Sequence, residues 1–179
     1  TLFIMQLEKN KIEELRNLLA TPQRIVILAH TNPDGDAIGS SLAWAELLKS
    51  EGHDVTCIVP NRYPYYLDFM PHSDTMVIYK SDSEGKAAKA VKGADVIFCL
   101  DFHTMSRLDG LSELLDENQH AKRVLIDHHL DPMEDFDIML SYPKASSTCY
   151  LVALIIENLY GTERITTDMA ENLFVGMMT

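Results

Sequence analysis

The sequence predicts an α/β domain, a mostly parallel β-sheet flanked by helices on both faces. Five short runs, at 25–29, 55–59, 76–79, 96–100 and 124–126, are apolar almost throughout rather than alternating, the mark of strands covered on both sides. Segments of helical period separate most of them, as the crossovers of a parallel sheet require. A length of 179 residues, 46% apolar and 23% charged, suits one packed domain spanning 1–179.

From the N-terminus, Ile12, Leu15, Leu18 and Leu19 share one helical face. That helix stops before Thr21-Pro22, since proline disfavours helix in its predecessor. Strand 25–29 follows, then a turn-rich stretch, then a helix carrying Ile38, Leu42, Ala45 and Leu48 at helical spacing. Strands at 55–59 and 76–79, a helix over 84–92, a strand at 96–100, a helix over 112–118 and a strand at 124–126 continue the alternation. Beyond Ser141 the chain turns helical, over 148–159 and 167–177. Trp44, Met169, Met177 and Met178 read as core, and Cys57 and Cys99 as small buried hydrophobes.

The net charge of −12, from 15 basic and 27 acidic residues, repels a long polyanion and argues against a duplex-DNA partner. No apolar run approaches the roughly 20 residues that span a bilayer, so no membrane partner is expected. Three cysteines without CxxC spacing imply neither a disulfide framework nor a zinc–thiolate site, and a cytoplasmic protein is expected. The first methionine is Met5, so residues 1–5 read as an added or cut segment.

Three of the apolar runs lead into polar residues of one chemical kind. Run 25–29 leads into His30-Thr31-Asn32-Pro33-Asp34-Gly35-Asp36, run 96–100 into Asp101, and run 124–126 into Asp127-His128-His129. In a parallel sheet all carboxyl ends lie along one edge, where open α/β folds hold their ligands. His30, Asp34, Asp36, Asp101, Asp127, His128 and His129 are therefore expected in one cluster. So many carboxylates at one edge repel one another unless cations join them. Carboxylates with imidazoles suit Mn²⁺ or a related transition metal. Each piece also has a plainer reading: Asn32-Pro33-Asp34-Gly35 as a turn, Asp36 or Asp101 as a helix cap. What those readings leave unexplained is the conjunction at three strand ends. His53 reads as a helix terminus and His72 and His120 as surface residues, while His103, near Asp101 and Arg107, either reaches substrate or does not.

The runs HTNPDGDAIGS, DFHTMSR and LIDHH together resemble the DHH phosphoesterases, in particular their nanoRNase and pAp-phosphatase branch, related to RecJ-type exonucleases and manganese pyrophosphatases. The resemblance extends from about Ile25 to the end of the sequence. It implies two Mn²⁺ ions, with Mg²⁺ or Co²⁺ as substitutes. His30 and Asp34 would hold one, Asp36 and His128 the other, and Asp101 would bridge them. Asp127 would orient its neighbours, and His129 would contact the substrate phosphate. Ser40, Ser147 and Thr148 fall in small polar stretches near the phosphate, where the helix opened by Ser147 and Thr148 presents N–H groups to an anion. Arg107 matches the basic residue after the second motif. A further metal-binding Asp and a smaller second domain are expected after Thr179.

The implied reaction is attack on phosphorus by a water activated between two metals, with Asp101, Asp127, His128 and His129 as the catalytic set. A strongly acidic body favours small phosphate compounds over long polyanions, so a small nucleotide or short RNA is the expected partner, and a homodimer stays open. Short oligoribonucleotides and nucleoside 3′,5′-bisphosphate (pAp) come first as substrates; cyclic or linear dinucleotides and pyrophosphate or polyphosphate are alternatives. A haloacid-dehalogenase-type phosphatase would use Asp34-Gly35-Asp36 but leaves Asp127-His128-His129 without a role. A non-catalytic nucleotide-binding module is the reading from another class.

Overall fold

A computed structural model describes residues 5–179, so the expectation for residues 1–5 lies, apart from Met5, outside the described residues. Helix α1 (Lys9–Leu18) is followed by strand β1 (Arg24–Leu28), helix α2 (Gly35–Ser50) and strand β2 (Asp54–Val59). Strand β3 (Val77–Ile78), helix α3 (Lys86–Gly93), strand β4 (Val96–Leu100), helix α4 (Leu111–Glu117) and strands β5 (Lys122–Asp127) and β6 (Ile138–Ser141) come next. Helices α5 (Thr148–Tyr160) and α6 (Thr167–Met178) end the chain. The six strands form one sheet in the order β3-β2-β1-β4-β5-β6. Every pairing among the described residues is parallel, as the unbroken apolar runs imply.

Side chains alternate across the sheet and so supply two cores. Ile25, Ile27, Val96, Phe98, Val124 and Ile126 face α1, α2, α5 and α6. Val26, Leu28, Ile97, Cys99 and Leu125 face α3 and α4. Trp44 lies in the first core, its ring edge-on to Phe98 at 5.5 Å. Cys57, Cys99 and Cys149 are free and buried.

Strand β6 is absent from the sequence reading. It is an edge strand of four residues, with Ile138 and Leu140 turned inward and Met139 and Ser141 half-buried, too short for its period-2 alternation to stand out. At the other edge only Val77 and Ile78 of the expected 76–79 run pair, and Tyr79–Ser81 coils into a 3₁₀ turn; edge strands are commonly this short. Of the three methionines read as core, only Met169 is buried; Met177 and Met178 are 41% and 70% exposed, since the end of α6 leaves the packed face. His53 lies just past the end of α2, but it is buried, and its Nδ1 accepts the Gln23 N–H at 3.0 Å. Among the described residues no helix is long and apolar enough to cross a membrane.

Helices α2 and α6 approach closely because glycines line the contact. A Cβ on Gly39 would sit 2.3 Å from the Asn172 carbonyl oxygen, and one on Gly176 would sit 3.0 Å from the Gly35 carbonyl oxygen as well as 2.1 Å from Cys149 Sγ of α5. This seats the start of α2 beside the end of α6, where a Cβ on Gly35 would overlap Thr179.

Candidate metal centre

The sheet reverses its winding between β1 and β4, with β2 and β3 laid down on one side and β5 and β6 on the other. A crevice opens outside the carboxyl ends of strands at such a switch point. His30 and Asp101 follow the two strands that flank it, and His128 and His129 follow β5 next door.

Local structure fixes each side chain. Asp34 is the N-cap of α2, its Oδ1 accepting the Ala37 N–H at 2.9 Å; Asp36 is therefore not the cap of its own helix. The Asp36 carboxylate instead crosses to α5 and accepts the N–H groups of Thr148 at 3.0 Å and Cys149 at 2.8 Å, where helix geometry favours an anion. Asp101 has φ of 65°, a left-handed conformation that Asp tolerates better than most residues. Its Oδ2 lies 3.3 Å from His30 Nε2, and its Oδ1 lies 3.5 Å from His128 Nε2. Thr148 Oγ1 donates to the same Oδ1 at 3.0 Å. Asp34 Oδ1 is 3.8 Å from His30 Nε2, and Asp36 Oδ2 is 3.6 Å from His128 Nε2.

His129 is aimed by a fully buried Asp127, whose Oδ1 lies 2.6 Å from His129 Nδ1. The other Asp127 oxygen is buried without a hydrogen-bond partner. The His103 ring stacks on His129 at 5.1 Å, so His103 supports that imidazole and is not among the residues lining the cleft. Arg107 reaches back across the first loop, a guanidinium nitrogen 2.9 Å from His30 Nδ1. The cleft encloses about 380 Å³ and is lined by His30, Asp34, Asp36, Asp101, Arg107, His128, His129, Ser146 and Ser147 together with the end of α6.

Burial pushes the Asp36 carboxyl up to about 7, and the charge of Asp101 adds to the rise. Burial alone would also raise Asp101, but hydrogen bonding to His128 and His30 outweighs it and holds that carboxyl below its ordinary range. His128 is raised, chiefly by its contact with Asp101. Burial works against a charged His30, yet Asp101 and the Thr31 carbonyl raise it all the same. Asp36 and Asp101, both buried, cannot readily both ionise without positive charge beside them. Mixed oxygen and imidazole donors, in the groups His30–Asp34–Asp101 and Asp101–His128–His129, fit divalent transition-metal ions.

Two expected substrate contacts are placed elsewhere. Ser40 is fully buried and its hydroxyl donates to Asp36 O, inside its own helix. The N–H groups opening α5 are taken by Asp36 and by Ser147, whose hydroxyl accepts from Tyr150 N, so they are not free for a phosphate. Thr148 acts on Asp101 rather than at the surface of the cleft. Asn61, two residues past the end of β2, is a further residue of the site. Its Oδ1 accepts from Asn32 N at 2.6 Å and Thr31 Oγ1 at 3.1 Å, latching the first loop; a lone Asn carries no sequence signal for such a bond.

Fold and site together define a family: the chain belongs to the DHH family, its residues 24–177 matching the DHH family, N-terminal domain. It is 29% identical over 131 residues to the bifunctional oligoribonuclease and PAP phosphatase NrnA of Mycoplasma genitalium, a match covering 72% of this chain and 37% of that protein. The crystal structure of an exopolyphosphatase-related protein from Bacteroides fragilis superposes with a TM-score of 0.93 at 35% identity, over 98% of this chain and 51% of that one. RecJ from Thermus thermophilus in complex with Mn²⁺ shares the fold, with a TM-score of 0.59 at 14% identity over 98% of this chain and 24% of that one. The chain thus spans about half or less of the length of these relatives.

Proposed function

We propose that this domain is the catalytic part of a metal-dependent phosphoesterase that hydrolyses short oligoribonucleotides and pAp. The observation that carries the reading is the placement of Asp101 between two imidazoles, each carboxylate oxygen facing a different one. In this reading His30 and Asp34 would hold one divalent cation and Asp36 and His128 the second, with Asp101 shared between them. Mn²⁺ suits the mixed donors, and the Mn²⁺ complex of RecJ, a protein of like fold, agrees with it. When bound, such a cation pair supplies an activated water and positive charge for phosphoryl transfer.

The chain's own residues do the rest. His129, held at Nδ1 by Asp127, presents its other nitrogen to a phosphate oxygen. Arg107, at the cleft beside His30, supplies a fixed positive charge for the same group. Thr148 and the N-terminus of α5 fix Asp101 and Asp36, so neither carboxylate has to be ordered when substrate arrives. The relative from Mycoplasma, an oligoribonuclease and PAP phosphatase by name, supports the substrate class. Three free buried cysteines suit a reducing cytoplasm.

The test is a panel of diribonucleotide, pAp, cyclic dinucleotide and pyrophosphate with Mn²⁺, then with chelator, using wild type, Asp101→Asn and Asp101→Ala. Both variants should lose bound metal and at least ~100-fold in turnover while keeping the far-UV signature of the fold. An Asp101 variant with full metal content and full turnover would refute the bridging role.

A further inference from the structure

Away from the cleft, three side chains from distant parts of the chain converge as ligands do. Glu46 extends from α2, Asp168 from the first turn of α6, and His72 from the loop ahead of β3. His72 Nε2 lies 2.9 Å from Asp168 Oδ2 and 3.3 Å from Glu46 Oε1. An imidazole nitrogen has at most one proton to give, and here it is directed at Asp168. Glu46 Oε1 is buried and is left with no hydrogen-bond partner, a state that costs free energy. Asp168 and His72 are half exposed and reach water, but Glu46 Oε1 does not, and a cation among the three atoms would supply the partner it lacks.

The geometry fits that cation. Bonds of about 2.0–2.2 Å in a tetrahedral site place donor atoms roughly 3.3–3.5 Å apart, which matches the 3.3 Å between His72 and Glu46, while the 2.9 Å between His72 and Asp168 has to open by roughly half an ångström when the ion enters. The other Glu46 oxygen accepts from Thr166 Oγ1, the N-cap of α6, which fixes the carboxylate. Buried Asn172 donates to the Pro71 carbonyl at 3.0 Å and ties the His72 loop to α6. A hollow of about 80 Å³ lies beside Glu46 and His72. Lys49 also lines it but forms no ion pair with either carboxylate among the described residues.

We propose that Glu46, His72 and Asp168 form a divalent metal site, suited to Zn²⁺ by its one imidazole and two carboxylates, that clasps α2, the loop before β3 and α6. It shares no residue with the cleft and stands whether or not the phosphoesterase reading does. The test counts Zn²⁺ ions on the purified chain by equilibrium dialysis and metal analysis, with Co²⁺ absorption as a second readout. Wild type should hold one more equivalent than either His72→Ala or Asp168→Asn, and the variants should lose one tetrahedral Co²⁺ signal. Mn²⁺-dependent turnover should be unchanged in His72→Ala. Equal metal content and equal Co²⁺ spectra in wild type and variants would overturn the proposal and leave these residues an ion pair alone. Asp168→Asn, nearly isosteric, decides the matter if His72→Ala fails to fold.

Discussion

Replacing Gly39 by alanine inverts an ordinary expectation. In a free helix, alanine is favoured over glycine by about 1 kcal/mol, and Gly39 sits inside the sixteen-residue α2. Here the new methyl would lie 2.3 Å from the main-chain oxygen of Asn172. Ordinary contact begins near 3.4 Å, so α6 must retreat by about 1 Å, and because the obstacle is main chain the cost falls at the upper end of the overpacking range, about 2–3 kcal/mol. A net loss of about 1–2 kcal/mol follows, or a Tm lower by roughly 2–8 °C in a protein of this size. Gly176→Ala meets a different obstacle, since its nearest neighbour is Cys149 Sγ at 2.1 Å, ahead of the Gly35 oxygen at 3.0 Å. Trimming the thiol in Gly176→Ala/Cys149→Ala should recover about 1 kcal/mol of coupling energy. The same trim should recover much less for Gly39→Ala, where backbone is the nearest obstacle. Urea unfolding of the single and double variants measures this. A Gly39→Ala protein as stable as wild type, or an equal rescue of both glycine variants, would refute the close-packing account.

Asn118 is fully engaged, its Nδ2 donating to Val91 O and Ala94 O and its Oδ1 accepting from His120 N and Ala121 N. Asn118→Ala strands several main-chain groups and should cost about 3 kcal/mol, read as a drop in urea midpoint. Ser147→Ala removes the cap of α5 and should cost about 1 kcal/mol, with a further rise in the KM for substrate if the cap also positions Asp36 through Thr148 and Cys149. His53 gives a pH signature. Burial lowers its pKa below 6.5, against the opposing charge of Glu51, so the unfolded chain takes the proton more readily. The stability that neutral His53 contributes is complete above about pH 6.5 and is lost as pH falls through its lowered pKa. His53→Asn should flatten the dependence of urea midpoint on pH between about 5 and 7; parallel curves for variant and wild type would argue against it.

The seven residues read as one cluster do collect at one edge, because a parallel sheet converts strand ends into neighbours however far apart they lie in sequence. That conversion needs only the strands to be recognised, and β1, β4 and β5 are apolar on both faces. What escaped the sequence depends on partners that no local pattern names. Asp36 looks like the cap of α2, but its carboxylate accepts the first N–H groups of α5, whose own cap is Ser147, beginning with that of Thr148, 112 positions away. Ser40 carries the right chemistry for a phosphate contact, yet its hydroxyl bonds to its own helix. β6 is too short for its alternation to register, and Met177 and Met178 are apolar without being buried.

The strand order explains why the cleft lies where it does and why its carboxylates are so firmly held. β1 and β4 are adjacent in the sheet but separated in sequence by α2, β2, β3 and α3, so the loops leaving them diverge to opposite sides and leave a gap. His30 and Asp101 stand on its two walls. α2 and α5 turn their N-termini toward this gap, and each N-terminus is occupied by an aspartate: Asp34 on α2, Asp36 on α5. The helix dipoles thus stabilise negative charge on both residues, offsetting part of the repulsion that crowding them near Asp101 creates. A perturbation that moves α5 relative to α2 therefore disturbs Asp36 and Asp101 together, because Thr148 holds one through its N–H and the other through its hydroxyl. Thr148→Ser keeps both bonds, whereas Thr148→Val keeps only the first. On the proposed metal reading the valine variant alone should weaken metal retention, measured by dialysis against chelator, and equal retention in the two would show that the Thr148–Asp101 bond plays no part in it.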